Sequence, residues 1–165
     1  IIYGLSAFGL SRQLKISHGD AKDFIDQYFC LYNKVKSFID NTTAKARKTG
    51  YTLTMFNRRR YLPDLNSKNR QVREGAERIA INSPIQGSAA DLIKVAMIQL
   101  SRETKKMKLK SKMILQVHDE LVFECPIMEK TKMELLVRKE MEEVCKLSVP
   151  LVVDIGWGKN WNEAH

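Results

Sequence analysis

The stretch Met113-Ile-Leu-Gln-Val-His-Asp-Glu-Leu-Val-Phe-Glu124 constrains the fold of this chain more than any other. Two apolar runs, Met113 to Val117 and Leu121 to Phe123, are strand-like in length and in bulky or β-branched content. Between them stand three ionisable residues, His118-Asp119-Glu120, with no glycine or proline. A tight strand-turn-strand buries both flanks and puts the polar trio at the tip. Aspartate suits such a tip because its side chain bonds to nearby backbone and tolerates unusual φ. A polar tip is also what an ordinary surface loop displays. Between two core strands, however, the carboxylates are rigidly held, which suits a metal site better than a mobile loop.

The chain has 165 residues, 44% of them hydrophobic, enough for one domain or two small lobes with a real core. No long apolar span and no signal-like start is present, so neither a membrane nor secretion is expected. Cys30, Cys125 and Cys145 are scattered, odd in number and without metal-ligand spacing, as expected of reduced thiols in the cytoplasm. A formal charge of +9 and a pI near 9.5 favour a polyanionic partner, although surplus lysine on a solvated face gives the same balance.

From its start, Ile1 to Leu14 is helical in pattern, with Leu5, Phe8 and Leu14 near one face and Ser6 or Ser11 able to cap or interrupt it. His18-Gly19-Asp20 reads as a turn in which Asp20 caps a helix over Ala21 to Tyr32, with Phe24, Ile25, Tyr28, Phe29 and Tyr32 as its packing face. A second helix, Lys34 to Lys48, presents Val35, Phe38, Ile39 and Ala46, carries cations in its last turns and stops at Gly50. Tyr51 to Phe56 reads as a strand, and the run Asn57-Arg-Arg-Arg-Tyr-Leu-Pro63 follows. Three adjacent arginines cannot all share one face of a strand. The planar guanidinium fork suits phosphate oxygens, while the same run would also serve as a solvated basic loop.

Two helices broken at Pro84 are expected next. In the first, Asn69 to Asn82, Arg78 and Asn82 share a face. Ser83-Pro84-Ile85-Gln86 reads as a capping box opening the second, Pro84 to Met107, which accounts for Gln86 structurally. That second helix is expected to bury Ile85, Ala89, Leu92, Ile93, Ala96, Met97 and Leu100, with Ala89-Ala90 allowing close approach to a sheet. Arg102 to Lys112 is a basic connector. After the hairpin, Glu129 to Cys145 is a helix with Leu135, Leu136, Met141 and Val144 inward. Val149 to Gly156 is a last strand, with Pro150 where a missing N–H matters least, and Trp157 and Trp161 pin the terminus.

Gln116-Val-His-Asp-Glu-Leu-Val resembles the motif C hairpin of the family A DNA polymerases. Ile2-Tyr-Gly-Leu-Ser-Ala-Phe-Gly-Leu10 is similar to the end of that family's fingers helix. Arg58-Arg-Arg-Tyr-Leu-Pro-Asp-Leu65, Glu77-Arg-Ile-Ala-Ile-Asn-Ser-Pro-Ile-Gln-Gly-Ser-Ala-Ala-Asp91 and Gly158-Lys-Asn-Trp-Asn-Glu-Ala-His165 resemble later segments, all in family order. The resemblance implies an α+β fold: helices on a small antiparallel palm sheet (residues 71–165), with a mostly helical fingers portion (residues 1–70). It implies template-directed DNA synthesis with two Mg²⁺ ions, on primer-template DNA and dNTP substrates, in the cytoplasm. Asp119 then matches a metal ligand and catalytic carboxylate, Glu120 a secondary contributor, and His118 a contact to the primer terminus. Arg78, Asn82 and Gln86 match minor-groove donors, which can check pairing geometry without reading sequence. Tyr3 and Gly4 match the pair beside the template base at the insertion site, and Arg58, Arg59 and Arg60 are expected to meet DNA phosphates. The motif A aspartate and the triphosphate-gripping residues of the family lie upstream of Ile1. The chain is therefore expected to be the C-terminal fragment of a longer polymerase, inactive by itself and completed by its upstream part.

Two other classes compete. A non-catalytic basic nucleic-acid-binding module needs only the charge and leaves Asp119 dispensable. A His/Asp metal hydrolase needs several more ligands, and the only other histidines are His18 and His165.

Overall fold

A computed structural model of the chain describes residues 1–164. Its elements are α1 (Ala7–Leu14), α2 (His18–Leu31), α3 (Asn33–Thr49), β1 (Tyr51–Leu53), β2 (Arg59–Tyr61), α4 (Arg70–Lys106), β3 (Lys112–Val117), β4 (Glu120–Glu124), α5 (Lys130–Glu142) and α6 (Trp161–Ala164). The fold is α+β: helices predominate, with two separate antiparallel two-stranded sheets, β1-β2 and β3-β4. The chain divides into two compact units, Ile1–Ser88 and Ala89–His165.

In the first unit, serines set the helix starts. Ser6 caps α1 by accepting the Gly9 N–H, so the opening helix begins at Ala7 rather than at Ile1. Leu10 is its buried residue, while Phe8 and Leu14 lie exposed. Ser17, not Asp20, is the N-cap of α2, because its hydroxyl accepts the Asp20 N–H at 3.0 Å and donates to the Asp20 carboxylate at 2.8 Å. The expected turn at His18 is therefore the first turn of the helix. The aromatic face of α2 is only partly buried: Tyr28 packs against Phe29 and Tyr32, while Phe24 and Tyr32 remain about half exposed. Helix α3 ends as expected, at Gly50 with φ of 79°, a conformation that suits a residue without Cβ. The core of this unit joins Ala46, Leu62, Leu65, Ala76 and Ala80. Strand β1 stops at Leu53 rather than Phe56, because Thr54 to Arg58 forms the connection to β2.

The expected break at Pro84 is absent: α4 runs unbroken through it. A proline removes one intrahelical N–H and crowds the preceding turn. Here the flanking helix is held by the buried side chains of Ala76, Ala80 and Ile81. Ser83 is not a cap; its buried hydroxyl donates back to the Ile79 carbonyl at 2.6 Å, which a continuing helix allows. Ile85 and Ala89 are exposed rather than buried, while Ala90 is half-buried.

The second unit is centred on Leu100, Met133 and Leu136, against which Leu109, Met113, Leu121, Phe123, Val137 and Met141 pack. Met133, Leu136, Val137 and Met141 fall on one helical stripe. Leu135 lies about 200° round the helix from Met133 at 100° per residue. It is 69% exposed, contrary to its expected inward role. The hairpin register runs from Lys112↔Glu124 to Val117↔Glu120, with a bulge between Met113 and Leu115. Only one face of the hairpin is covered, so Ile114 and Leu115 are exposed and the flanks are half-buried rather than core. A two-stranded hairpin has a second face that nothing in its own ladder covers.

Residues 149–156 form no strand. Inward and outward positions do alternate from Leu151 to Gly158, the period of extended chain. The backbone, however, bonds to side chains of α5: the Val153 N–H donates to Glu142 at 3.0 Å, and the Val153 carbonyl accepts from Arg138 at 2.8 Å.

Candidate functional site

In the first unit, one continuous helix places Arg78, Asn82 and Gln86 at intervals of four residues. Side chains so spaced lie along one face. Arg78 and Gln86 are exposed, Asn82 is half-buried, and the Asn82 Oδ1 is buried without a hydrogen-bond partner. Gly4 belongs to the same neighbourhood. Its φ is 84°, and a Cβ there would come within 2.8 Å of the Arg78 Cγ, so the glycine lets the chain back onto the arginine stem. Tyr3, beside it, is 54% exposed.

The arginine run divides: Arg58 lies in the connection, while Arg59 and Arg60 point to opposite faces of β2. Arg58 turns to α4 and donates to the Gly87 carbonyl at 3.1 Å. Ser88 Oγ accepts the Met55 N–H at 2.9 Å, so two bonds dock the β1-β2 connection on the helix. The docking needs Gly87, because a Cβ there would come within 2.7 Å of the Thr54 Cγ2. Arg59 lies over the Tyr51 ring at 4.9 Å and Arg60 is exposed. Of the three, Arg58 has a structural partner that sequence reasoning missed. The Gln86-Gly87-Ser88 string was its only trace.

In the second unit, the hairpin tip is shorter than the sequence suggested. Val117 pairs with Glu120, so only His118 and Asp119 form the connection and Glu120 opens β4. His118 adopts φ of 51°, and its carbonyl accepts from Gln116 Nε2 at 3.1 Å. Asp119 is exposed and Glu120 half-buried. Asp119, Glu120 and Asp154 line one cavity of about 520 Å³, bounded by residues 120–123 of β4 on one side and by residues 152–158 on the other.

The base of the hairpin is fixed by a residue the sequence did not single out. The Glu129 carboxylate accepts the Lys110 and Ser111 N–H groups at 2.8 and 2.9 Å and the Ser111 hydroxyl at 2.6 Å. These donors hold its pKa below the ordinary carboxylate value, the Lys110 amide contributing most.

Asp119 offers the hard oxygen donors that Mg²⁺ prefers. Among the described residues no group of three or more His, Cys, Asp or Glu is placed to hold a metal ion. The tip thus fits part of a magnesium site.

Residues 1–163 match the family model described as DNA polymerase family A. The chain belongs to that family. This family A chain is 53% identical over 163 residues to DNA polymerase I of Caldicellulosiruptor bescii, a match covering 99% of the chain and 19% of that relative. It is 52% identical to DNA polymerase I of Mycobacterium tuberculosis, covering 99% of the chain and 18% of the relative. The family A chain therefore spans about a fifth of the length of these relatives. It also matches the solved POL domain of Pol1 from M. smegmatis in complex with DNA primer-template and dNTP. There the TM-score is 0.96 and the identity 52%, covering 99% of the chain and 29% of that structure. No helix among the described residues is long and apolar enough to cross a membrane.

Proposed function

We propose that this chain supplies the motif C carboxylate and much of the DNA-contacting surface of a template-directed DNA polymerase, which extends a primer 3′-hydroxyl with dNTPs in the bacterial cytoplasm. The observation that carries the reading is the hairpin tip, where Asp119 stands at the end of a two-residue connection beside a cavity that Glu120 and Asp154 also line. Residues 1–70 are read as the end of the fingers and residues 71–165 as the palm.

Asp119 would hold magnesium, with Glu120 as a secondary contributor and the remaining ligands coming from the upstream part of the polymerase. When bound, two such ions activate the attacking hydroxyl and steady the leaving pyrophosphate. The chain's own residues orient the DNA. His118 meets the primer terminus from a backbone that the adjacent Gln116 braces. Arg78, Asn82 and Gln86 donate to minor-groove acceptors, which sit at similar places in every base pair. Tyr3 and Gly4 flank the template base at the insertion site, and the arginines of β2 attract phosphates. The alternative, a basic binding module without chemistry, makes Asp119 dispensable.

The test is Asp119→Asn in the full-length protein. The substitution keeps shape and removes charge, so kcat for primer extension should fall by about two orders of magnitude or more while DNA affinity changes little. Near-normal turnover with Mg²⁺ as the only divalent metal overturns the assignment in favour of the binding module.

A further inference from the structure

We propose that the face of the β1-β2 ribbon carrying Tyr51, Arg59 and Tyr61 is a stacking platform for unpaired bases of single-stranded DNA. The inference rests on the DNA-binding reading above and adds to it a distinct substrate, the unpaired strand, and a distinct contact, the face of the base.

Three observations converge on this face. Tyr51 and Tyr61 are register partners, so they lie on the same side, with ring centroids 5.8 Å apart at 66°. Arg59, two residues before Tyr61, shares that side and lays its guanidinium 4.9 Å over the Tyr51 ring. A guanidinium with one face on an aromatic ring has a second face to offer, and Arg59 is exposed. Tyr61 is 67% exposed, so its ring is spread on the surface rather than used in a core.

The neighbouring charges suit a nucleic acid strand. The last turns of α3 carry Lys45 and Lys48, and the end of that helix is tied to the ribbon by the bond from the Leu62 N–H to the Gly50 carbonyl at 2.8 Å. Arg47 is already engaged by Glu77, and Arg60 projects to the opposite face, where its register partner Thr52 is buried. The ribbon therefore joins exposed π faces to a helix end that carries cations. That combination binds single strands with little sequence preference, because every base has a π face. A base within a duplex is stacked on both sides and has no face to offer, so the platform discriminates by strandedness.

The test uses the full-length protein with blunt duplex and with duplexes bearing short or long unpaired template extensions, with 2-aminopurine placed in the extension. Tyr61→Leu and Arg59→Lys, the latter keeping the charge but not the plane, should each weaken binding to the long extension by about ten-fold. Affinity of the Tyr61→Leu protein for blunt duplex should stay within about two-fold. The 2-aminopurine fluorescence change on binding should disappear in both variants, while melting temperatures confirm folding. Equal losses on blunt and extended DNA, or no loss on either, overturn the platform but leave the DNA-binding reading intact. A wild-type protein that binds none of these DNAs overturns both.

Discussion

The β1-β2 ribbon has three residues per strand, displays cations and is held to its helix by polar bonds from Arg58 and Ser88. The β3-β4 hairpin is longer, ends in carboxylates and is held by an apolar face on Leu100, Met133 and Leu136. Each connection contains a non-glycine residue in the left-handed region, Asn57 at φ of 62° and His118 at φ of 51°. The difference shows how one chain can present charges of opposite sign from the same motif. Where the displayed side chains are long and cationic, the connection is docked on a helix by polar bonds between side chain and backbone. Where a short carboxylate must be held still, the hairpin is anchored through its core and clamped at its base by Glu129.

The largest expected effect breaks the apolar anchor. Leu100 is fully buried, so Leu100→Ala should cost about 2–5 kcal/mol and lower the melting temperature steeply. Denaturant unfolding checks it, and a cost below about 1 kcal/mol would mean that the hairpin does not depend on this core.

Gly87→Ala attacks the polar anchor of the other ribbon. The new Cβ meets Thr54 at 2.7 Å, inside van der Waals contact. Overpacking of that kind costs about 1–3 kcal/mol. Amide exchange should quicken at Met55, whose N–H bonds Ser88 beside it, and an unchanged exchange rate there would refute the docking.

The smallest effect compares the two left-handed positions directly. His118→Gly should stabilise the protein by up to about 1 kcal/mol, because glycine adopts φ above zero without a Cβ penalty. Asn57→Gly should gain less, since asparagine already tolerates this conformation. In the full-length polymerase the histidine variant should nevertheless extend primers more slowly, and a variant both more stable and equally active would remove His118 from the proposed site.

What could be read in advance follows from how local its cause is. The hairpin, the stop at Gly50 and the inward Leu136 depend on residues within a few positions of one another. The Ser17 cap was missed because Asp20 is an equally good capping residue, and only the backbone direction decides between them. Pro84 misled for the opposite reason, since its local cost is offset by burial of Ala76, Ala80 and Ile81 on the same helix. Val149 to Gly156 has the alternation of a strand, but a ladder also requires a neighbour, which periodicity cannot supply. The candidate site was legible as residue types. The two-residue connection and the roles of Gly87 and Glu129 were not, because they depend on contacts between segments distant in sequence.

Under the proposed minor-groove role of Arg78, Asn82 and Gln86, the unbroken course of α4 through Pro84 has a consequence for synthesis by the complete polymerase. A continuous helix rises 1.5 Å per residue, so the eight-residue interval from Arg78 to Gln86 measures about 12 Å. Base pairs are spaced 3.4 Å apart, and donors laid along a groove over that interval reach across about three to four of them. Such a row would register a distorted pair not only when it forms but for several additions afterwards, so that an error already passed could still delay the next step. Two helices breaking at the proline would have no fixed interval with which to do this.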